Sequence, residues 1–503
     1  MNATTTDVLI CGAGPSGLTL AIDLARRGIS FRLIEKRDTH FNGSRGKGLQ
    51  PRSLEVFEDL GIVDRVTALG GIYPALRTYR DDGSYNDVSF IDPTPASPTE
   101  PFTLPTMVPQ FLTERAMRER LAEFGHSPEY GCELLGFEQD ASGVNARVLR
   151  QGSETNIRAR YLVAADGGRS FVRHELQLGF PGKTLGVRAV VADVILTGLT
   201  RDVWHRFNED DMERQISFCP LAGTNLFQIQ APVPLEGHID VSLDGLMEMT
   251  STRTGRHDIH IESVSWASAF SMGARLADHY RVGHVFLVGD AAHIHPPTGG
   301  QGLNTSVQDA YNLSWKLASV LAGAPETLLD SYEEERRPIA AGMLGLSSAL
   351  LEQHKRGEMR RGREVRQLDL AYPESPLSLE RPARSMGLLA GDRAPDALLR
   401  GAAGPAHRLF SLFKGPHWTL LGYQVDRDLV PTRPGLRVHT IGPHDELVDE
   451  AGHFAAAYTP SPGDWVLVRP DGYIGAIVSS HEIDALESYF ERVGLGLRSR
   501  AHG

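Results

Sequence analysis

The residues with the clearest chemical potential open the chain. Val8-Leu9-Ile10-Cys11 runs into Gly12-Ala13-Gly14-Pro15-Ser16-Gly17, and Glu35 follows eighteen residues after Gly17. An apolar strand, three glycines at this spacing and a helix read as a dinucleotide-binding unit. Gly12 permits the tight turn, Gly14 lets backbone approach a pyrophosphate, and Gly17 lets helix pack on strand. Pro15 and Ser16 begin a helix whose unpaired N–H groups and positive dipole end would face the phosphates. Leu18, Ala21, Ile22 and Ala25 give that helix its apolar face. A second strand, Phe31 to Glu35, ends on a carboxylate suited to a ribose diol, which favours FAD or NAD over NADP.

Two further acids end buried strands. Tyr161-Leu162-Val163-Ala164-Ala165 leads to Asp166-Gly167, and His284-Val285-Phe286-Leu287-Val288 leads to Gly289-Asp290. Asp290 is placed to take hydrogen bonds from a sugar-alcohol chain. The loop Pro296-Pro297-Thr298-Gly299-Gly300-Gln301-Gly302 follows, where glycines let backbone N–H groups approach a flat ring. A long helix beginning near Asn304 points its positive end at that ring, favouring negative charge on an isoalloxazine N1–C2=O edge. Leu313, Leu317, Val320 and Leu321 share one face of this helix, with Asp309, Asn312 and Lys316 off it. A second helix is expected from Leu328 to Gln353.

The elements holding these residues belong to an ordinary globular chain of 503 residues, enough for two to four domains. A net charge of −12 without a basic run argues against nucleic acid and anionic membrane surfaces. Lys355-Arg356 and Arg360-Arg361-Gly362-Arg363 read as a solvated charged face. Cys11, Cys132 and Cys219 have no paired spacing, and His293-Ile294-His295 has no third ligand nearby, so no metal is expected. The chain shows neither a basic segment before an apolar core at its N-terminus nor a run long enough for a membrane span, which reads as a cytoplasmic protein. Residues 79–105 form a polar excursion, Phe111 to Phe124 a helix, and Val144 to Ala159 antiparallel strands. Short β-like runs from Gly182 to Ala269 imply a separate antiparallel sheet. Pro373-Glu374-Ser375-Pro376 reads as a linker before a small α/β module that starts at Gly391-Asp392.

The three motifs, in this order, resemble those of the FAD-dependent aromatic hydroxylases related to p-hydroxybenzoate hydroxylase. The stretch Gln308-Asp309-Ala310-Tyr311-Asn312-Leu313-Ser314-Trp315-Lys316-Leu317 is similar to that family's helix. The resemblance implies an α/β fold with a Rossmann-like FAD domain over 1–78, 102–181 and 276–372. A substrate-binding antiparallel sheet would occupy 79–101 and 182–275, and a thioredoxin-like domain without redox cysteines 390–503. It places Ser16, Glu35 and Lys36 on the adenosine and pyrophosphate side and Leu134 near adenine. Arg45 falls beside the flavin, Gln110 and Asp290 on the ribityl chain, and Leu303 and Asn304 under the ring. Asp166, Pro297, Gly300 and Gly302 complete the implied cofactor set. Gly46 stands where the family has alanine, and Ser306 where it has glycine.

The tail motifs Gly391-Asp392-Arg393-Ala394-Pro395-Asp396 and Leu467-Val468-Arg469-Pro470-Asp471-Gly472 resemble those of phenol hydroxylases, polyketide hydroxylases and rifampicin monooxygenase. That implies non-covalent FAD, NADPH or NADH as co-substrate, O2, and hydroxylation of a phenolic ring through a flavin C4a-hydroperoxide. Trp204, Phe207, Phe218, Phe227 and Trp266 offer aromatic surface, with Pro296 beside it, suited to a multi-ring polyketide-type phenol. A catabolic phenol hydroxylase, an antibiotic-modifying enzyme and a FAD-bearing ligand-sequestering protein are the alternatives. A flavin halogenase is excluded because all five tryptophans are isolated. No catalytic base is identified; His205, His238 and His260 lie in the substrate region, where lone histidines are more often structural. A homodimer is left open.

Overall fold

The computed structural model describes residues 4–355, 361–401 and 404–496. Thr4–Cys11 is the centre of the first sheet, because Val8, Leu9 and Ile10 are fully buried and need cover on both faces. It pairs in parallel with Phe31–Glu35 on one side and Ser153–Ala164 on the other, and the latter pairs in parallel with Val285–Leu287. The register sets Cys11 beside Ile34 and Ala164, and Ala164 beside Leu287. Gly12, Glu35, Asp166 and Asp290 therefore emerge together at the carboxyl edge of one sheet, where open α/β sheets bind ligands. Helix Pro15–Arg26 packs against the long helix Gln301–Leu321.

The second sheet is mostly antiparallel. Its central strands are Gly182–Thr197, Phe227–Val233, Ile216–Pro220 and Val203–Phe207, with His260–Leu276 on one flank and Ala75–Tyr79 on the other. Ala75–Tyr79 thus joins this sheet, although 1–78 was assigned to the flavin domain. Helix Leu243–Thr254 covers the far face, over a core that includes Phe207, Phe218, Phe227 and Ile229.

The third sheet contains Trp418–Tyr423, Leu436–Ile441, Asp464–Val468 and Ile474–Ser479, and it recruits Leu379–Arg381 from before residue 390. Its Trp418 and Trp465, with Tyr489 and Phe490 of helix Asp484–Val493, belong to the same continuous apolar core as the first sheet. Pro373 to Pro376 is consequently no free linker: Ser375 is buried and its hydroxyl donates to Glu335 at 2.6 Å. The polar side of the long helix is also buried, Asp309 and Lys316 completely. Helical periodicity misses this because cover comes from helix Asp330–Lys355 and the C-terminal sheet.

Candidate functional site

The turn after the first strand has no room for a side chain at Gly12, whose φ is +105° and whose Cβ would lie 2.2 Å from the Ala165 carbonyl oxygen. A Cβ on Gly17 would meet the Gly12 oxygen at 1.9 Å. Gly14 differs: it has ordinary φ of −79°, and a Cβ there would meet nothing within 4 Å. Space opens in front of Gly14 where the helix begins, with Pro15 at its first turn, no capping side chain and no acid. Such a helix terminus fits a pyrophosphate. The Ser16 hydroxyl lies against Gly289, whose Cβ would stand 2.3 Å from it, so the first and third motifs touch.

Glu35 accepts the Ala13 N–H at 3.0 Å, the Arg37 N–H at 3.1 Å and the Arg37 Nε at 3.0 Å. Burial pushes this carboxyl up, but those donors outweigh it and hold it below the ordinary glutamate range. Lys36 is exposed, and the cation that meets Glu35 is Arg37, which sequence reasoning did not single out. Leu134 is half-buried on strand Cys132–Asp140. Asp166 accepts the Val172 N–H at 3.2 Å, while its Oδ1 is buried without a protein partner. Burial raises its carboxyl. Arg173 ties this motif to the third by donating to the carbonyls of Ala291, at 2.8 Å, and Gly168, at 2.9 Å.

Asp290 is exposed at the surface although many protein atoms stand around its carboxyl, and that surrounding raises it, with His293 and Arg45 opposing. The Gln110 Oε1 accepts the Gly46 N–H at 3.1 Å, and its amide donates to Glu114 at 2.8 Å. Burial pushes Glu114 up to about 7, and its Oε2 has no hydrogen-bond partner. Gly46 matters here, because a Cβ would approach Leu303 Cδ1 to 3.2 Å. Pro296 is buried, Pro297 is exposed, and the helix starts at Gln301, earlier than Asn304. Gly299 and Gly300 have φ of +80° and +64°, which glycine adopts without strain. Gly302 has space beside it, with His295 Cβ 3.9 Å from where its Cβ would lie. The fully buried Asn304 side chain is engaged within the protein: its amide donates to Gly48 and Gly300 carbonyls and its oxygen accepts the Gln50 N–H at 2.8 Å. These bonds fasten the glycine loop to the segment Gly48 to Gln50.

Sheet register decides which substrate-side residues face the flavin motifs. Asp193 pairs with Trp266 and Gln228, and Gln228 with Cys219, so they share one face. The loop from Phe41 to Gly48 clamps onto that row. Trp266 packs edge-on against Phe41 at 5.5 Å. Asp193 accepts the Ser44 N–H at 2.7 Å. Buried Lys47 donates to Gln228 at 2.7 Å and lies 4.1 Å over the Trp204 ring. Burial pushes Asp193 up to about 6 and pulls Lys47 down. The next row on this face is Ser268, Val191, Gln230, Ser217 and Arg206. Phe227 lies on the opposite face, in the core under helix Leu243–Thr254, and is corrected as a substrate residue. A one-residue alternation separates it from Gln228.

The histidines are accounted for differently. His205 holds the Tyr79 hydroxyl and the Thr200 carbonyl, each at 2.8 Å, and His238 and His260 are exposed. The His293 Nε2 is 2.6 Å from Asp309, which also receives Arg336 Nε at 2.8 Å. Among the described residues no group of three His, Cys, Asp or Glu side chains is placed to hold a metal.

A parallel-strand core with a glycine turn, three acids at its carboxyl edge and a second sheet facing them defines a dinucleotide-binding protein. Residues 5–347 match the FAD binding domain family, and 441–496 match the phenol hydroxylase C-terminal dimerisation domain. The chain is 40% identical to a flavin-dependent monooxygenase of Mycobacteroides abscessus, covering 94% of this chain and 97% of the relative. It is 32% identical to 6-methylpretetramide 4-monooxygenase of Streptomyces rimosus over 93% of this chain and 90% of that one. The structure of aklavinone-11 hydroxylase with FAD and aklavinone superposes with a TM-score of 0.80 at 27% identity, covering 98% and 100% of the two chains. The protein belongs to the family of FAD-dependent aromatic monooxygenases.

Proposed function

We propose that this monooxygenase hydroxylates a multi-ring, polyketide-type phenol held between the flavin loop and the second sheet. The observation that carries the reading is the row Ser268, Val191, Gln230, Ser217 and Arg206, which crosses five strands on the face toward the flavin motifs. Five strands span about 19 Å at ~4.8 Å per gap, a width matching several fused rings rather than one. The names of the 6-methylpretetramide and aklavinone relatives support the same substrate class.

In this reading Gly12, Gly14, Pro15, Ser16 and Gly17 hold the FAD pyrophosphate, and Glu35, with Arg37 behind it, the ribose. Asp166, Asp290, Arg45 and Gln110 line the ribityl side, and Pro297 to Leu303 the ring. The bound flavin supplies activation of O2 at the expense of NADPH or NADH. The chain's part is to exclude water and hold the ring close. Lys47, fixed over Trp204, stands beside the site, where its protonated form would favour an ionised phenol. The segment matching a dimerisation domain supports a homodimer through the tail, which light scattering tests.

The substrate reading is tested with a panel of single-ring phenols, anthraquinones and tetracyclic polyketides. It scores stimulated NADPH oxidation together with product gaining one oxygen. Stimulation confined to single-ring phenols overturns it.

A further inference from the structure

Asp309, fully buried on the long helix Gln301–Leu321, serves both ends of the turn that carries Asp290. Its Oδ2 accepts the Gly289 N–H at 3.2 Å, just before Asp290, and lies 2.6 Å from the His293 Nε2, just beyond it. Its other oxygen receives the Arg336 Nε at 2.8 Å, and Arg336 also donates to the Tyr372 hydroxyl at 2.8 Å. Burial pushes the Asp309 carboxyl up, but His293 and Arg336 outweigh it and hold it below the ordinary aspartate range. An ionised carboxylate can only accept, so the proton of the shared bond sits on His293 Nε2. His293 is completely buried as well, and its Nδ1 has no partner among the described residues, so the ring is fastened by Asp309. Between the two ends, the Ala292 carbonyl takes the Ala277 N–H at 2.8 Å. Asp290 is the exposed residue of this otherwise buried, fully fastened turn.

We propose that His293, held by Asp309, is a positioning residue for the flavin: it fixes the turn so that the Asp290 carboxylate already points at the ribityl hydroxyls before FAD arrives. The inference deepens the flavin reading of Asp290 given above and rests on it. A carboxylate on a fixed turn loses less freedom on binding than one on a loose turn, and the difference appears as affinity.

The test titrates apo protein with FAD and reads the quenching of flavin fluorescence. His293→Leu keeps the Arg336–Asp309 pair, so it should fold, and it should bind FAD about ten-fold more weakly than wild type. His293→Gln, whose amide can donate to Asp309, should recover most of that loss. In the Asp290→Ala background the same leucine change should cost less than about two-fold, because no carboxylate is left to position. A role confined to stability would weaken both backgrounds alike. Asp309→Asn is carried through the same cycle, so a leucine variant that does not fold leaves the decision to it. Wild-type affinity in His293→Leu, a glutamine variant no better than leucine, or the full loss retained beside Asp290→Ala overturns the inference. Unchanged affinity in Asp290→Ala alone, or a wild-type protein that holds no FAD, overturns instead the flavin placement on which it rests.

Discussion

Arg469 sets its two terminal nitrogens on the two oxygens of Glu335, at 2.7 and 2.8 Å, with both side chains fully buried. Glu335 stands on helix Asp330–Lys355 and Arg469 on the turn after strand Asp464–Val468, so one ion pair joins the C-terminal sheet to the flavin side. Lys316 donates to the same carboxylate at 2.7 Å, and Asp471 accepts from Arg469 and from the Trp315 indole.

Replacing Arg469 by Met leaves a buried carboxylate short of a partner, which costs about 3–5 kcal/mol. Thermal unfolding should therefore move down by several degrees. Arg65→Ala, at a partly exposed pair with Glu123, should cost under about 1 kcal/mol. Removing residues 391–503 exposes shared core, so the expected product is aggregated rather than a working flavin domain. A soluble, yellow truncation on gel filtration contradicts this.

Two glycines of the first motif should behave oppositely. Gly12→Ala clashes with backbone at positive φ and should yield little folded protein. Gly14→Ala meets no protein atom, so the apo protein should lose under about 1 kcal/mol. Its added methyl fills the space proposed for the pyrophosphate, and FAD titration should show a large loss of affinity. Equal FAD affinity in the Gly14 variant refutes the placement.

Asp290→Ala should weaken FAD binding about ten- to hundred-fold, the worth of a charge-assisted hydrogen bond of about 1.5–3 kcal/mol. Fluorescence titration of the apo protein measures this. Unchanged affinity would remove Asp290 from the ribityl contact.

Glu114 gives a pH signature. Burial pushes its carboxyl up to about 7, above an unfolded value of about 4.3. The folded state thus binds the proton more tightly, and the stability this gives is present at low pH and lost as pH rises through 7. Glu114→Gln removes the penalty and should raise stability at pH 8 by about 3 kcal/mol, with no gain at pH 4. Melting curves across that range decide it; a gain that is flat with pH would show that Glu114 is not titrating there.

The cofactor motifs were legible in the chain because each is local. A strand, a glycine turn and a helix are contiguous, and the demands on Gly17 and Asp166 arise within a few residues of each, whereas Gly12 is also held to glycine by the Ala165 carbonyl at the end of a distant strand. Parallel pairing then brings the separated acids to one edge, as strand-ending acids imply. Gly46 and Gln110 also converge, sixty-four residues apart. What tertiary structure alone decided is wherever a partner comes from far away. Sheet register turned Phe227 inward and Gln228 toward the flavin loop, though both are neighbours in sequence. The distant Gly48 and Gln50 claimed the Asn304 side chain. Helix Asp330–Lys355 and the C-terminal sheet buried Lys316, which periodicity placed off the apolar face. Local patterns state what a residue can do beside its neighbours; burial and pairing depend on surfaces that only the folded chain brings together.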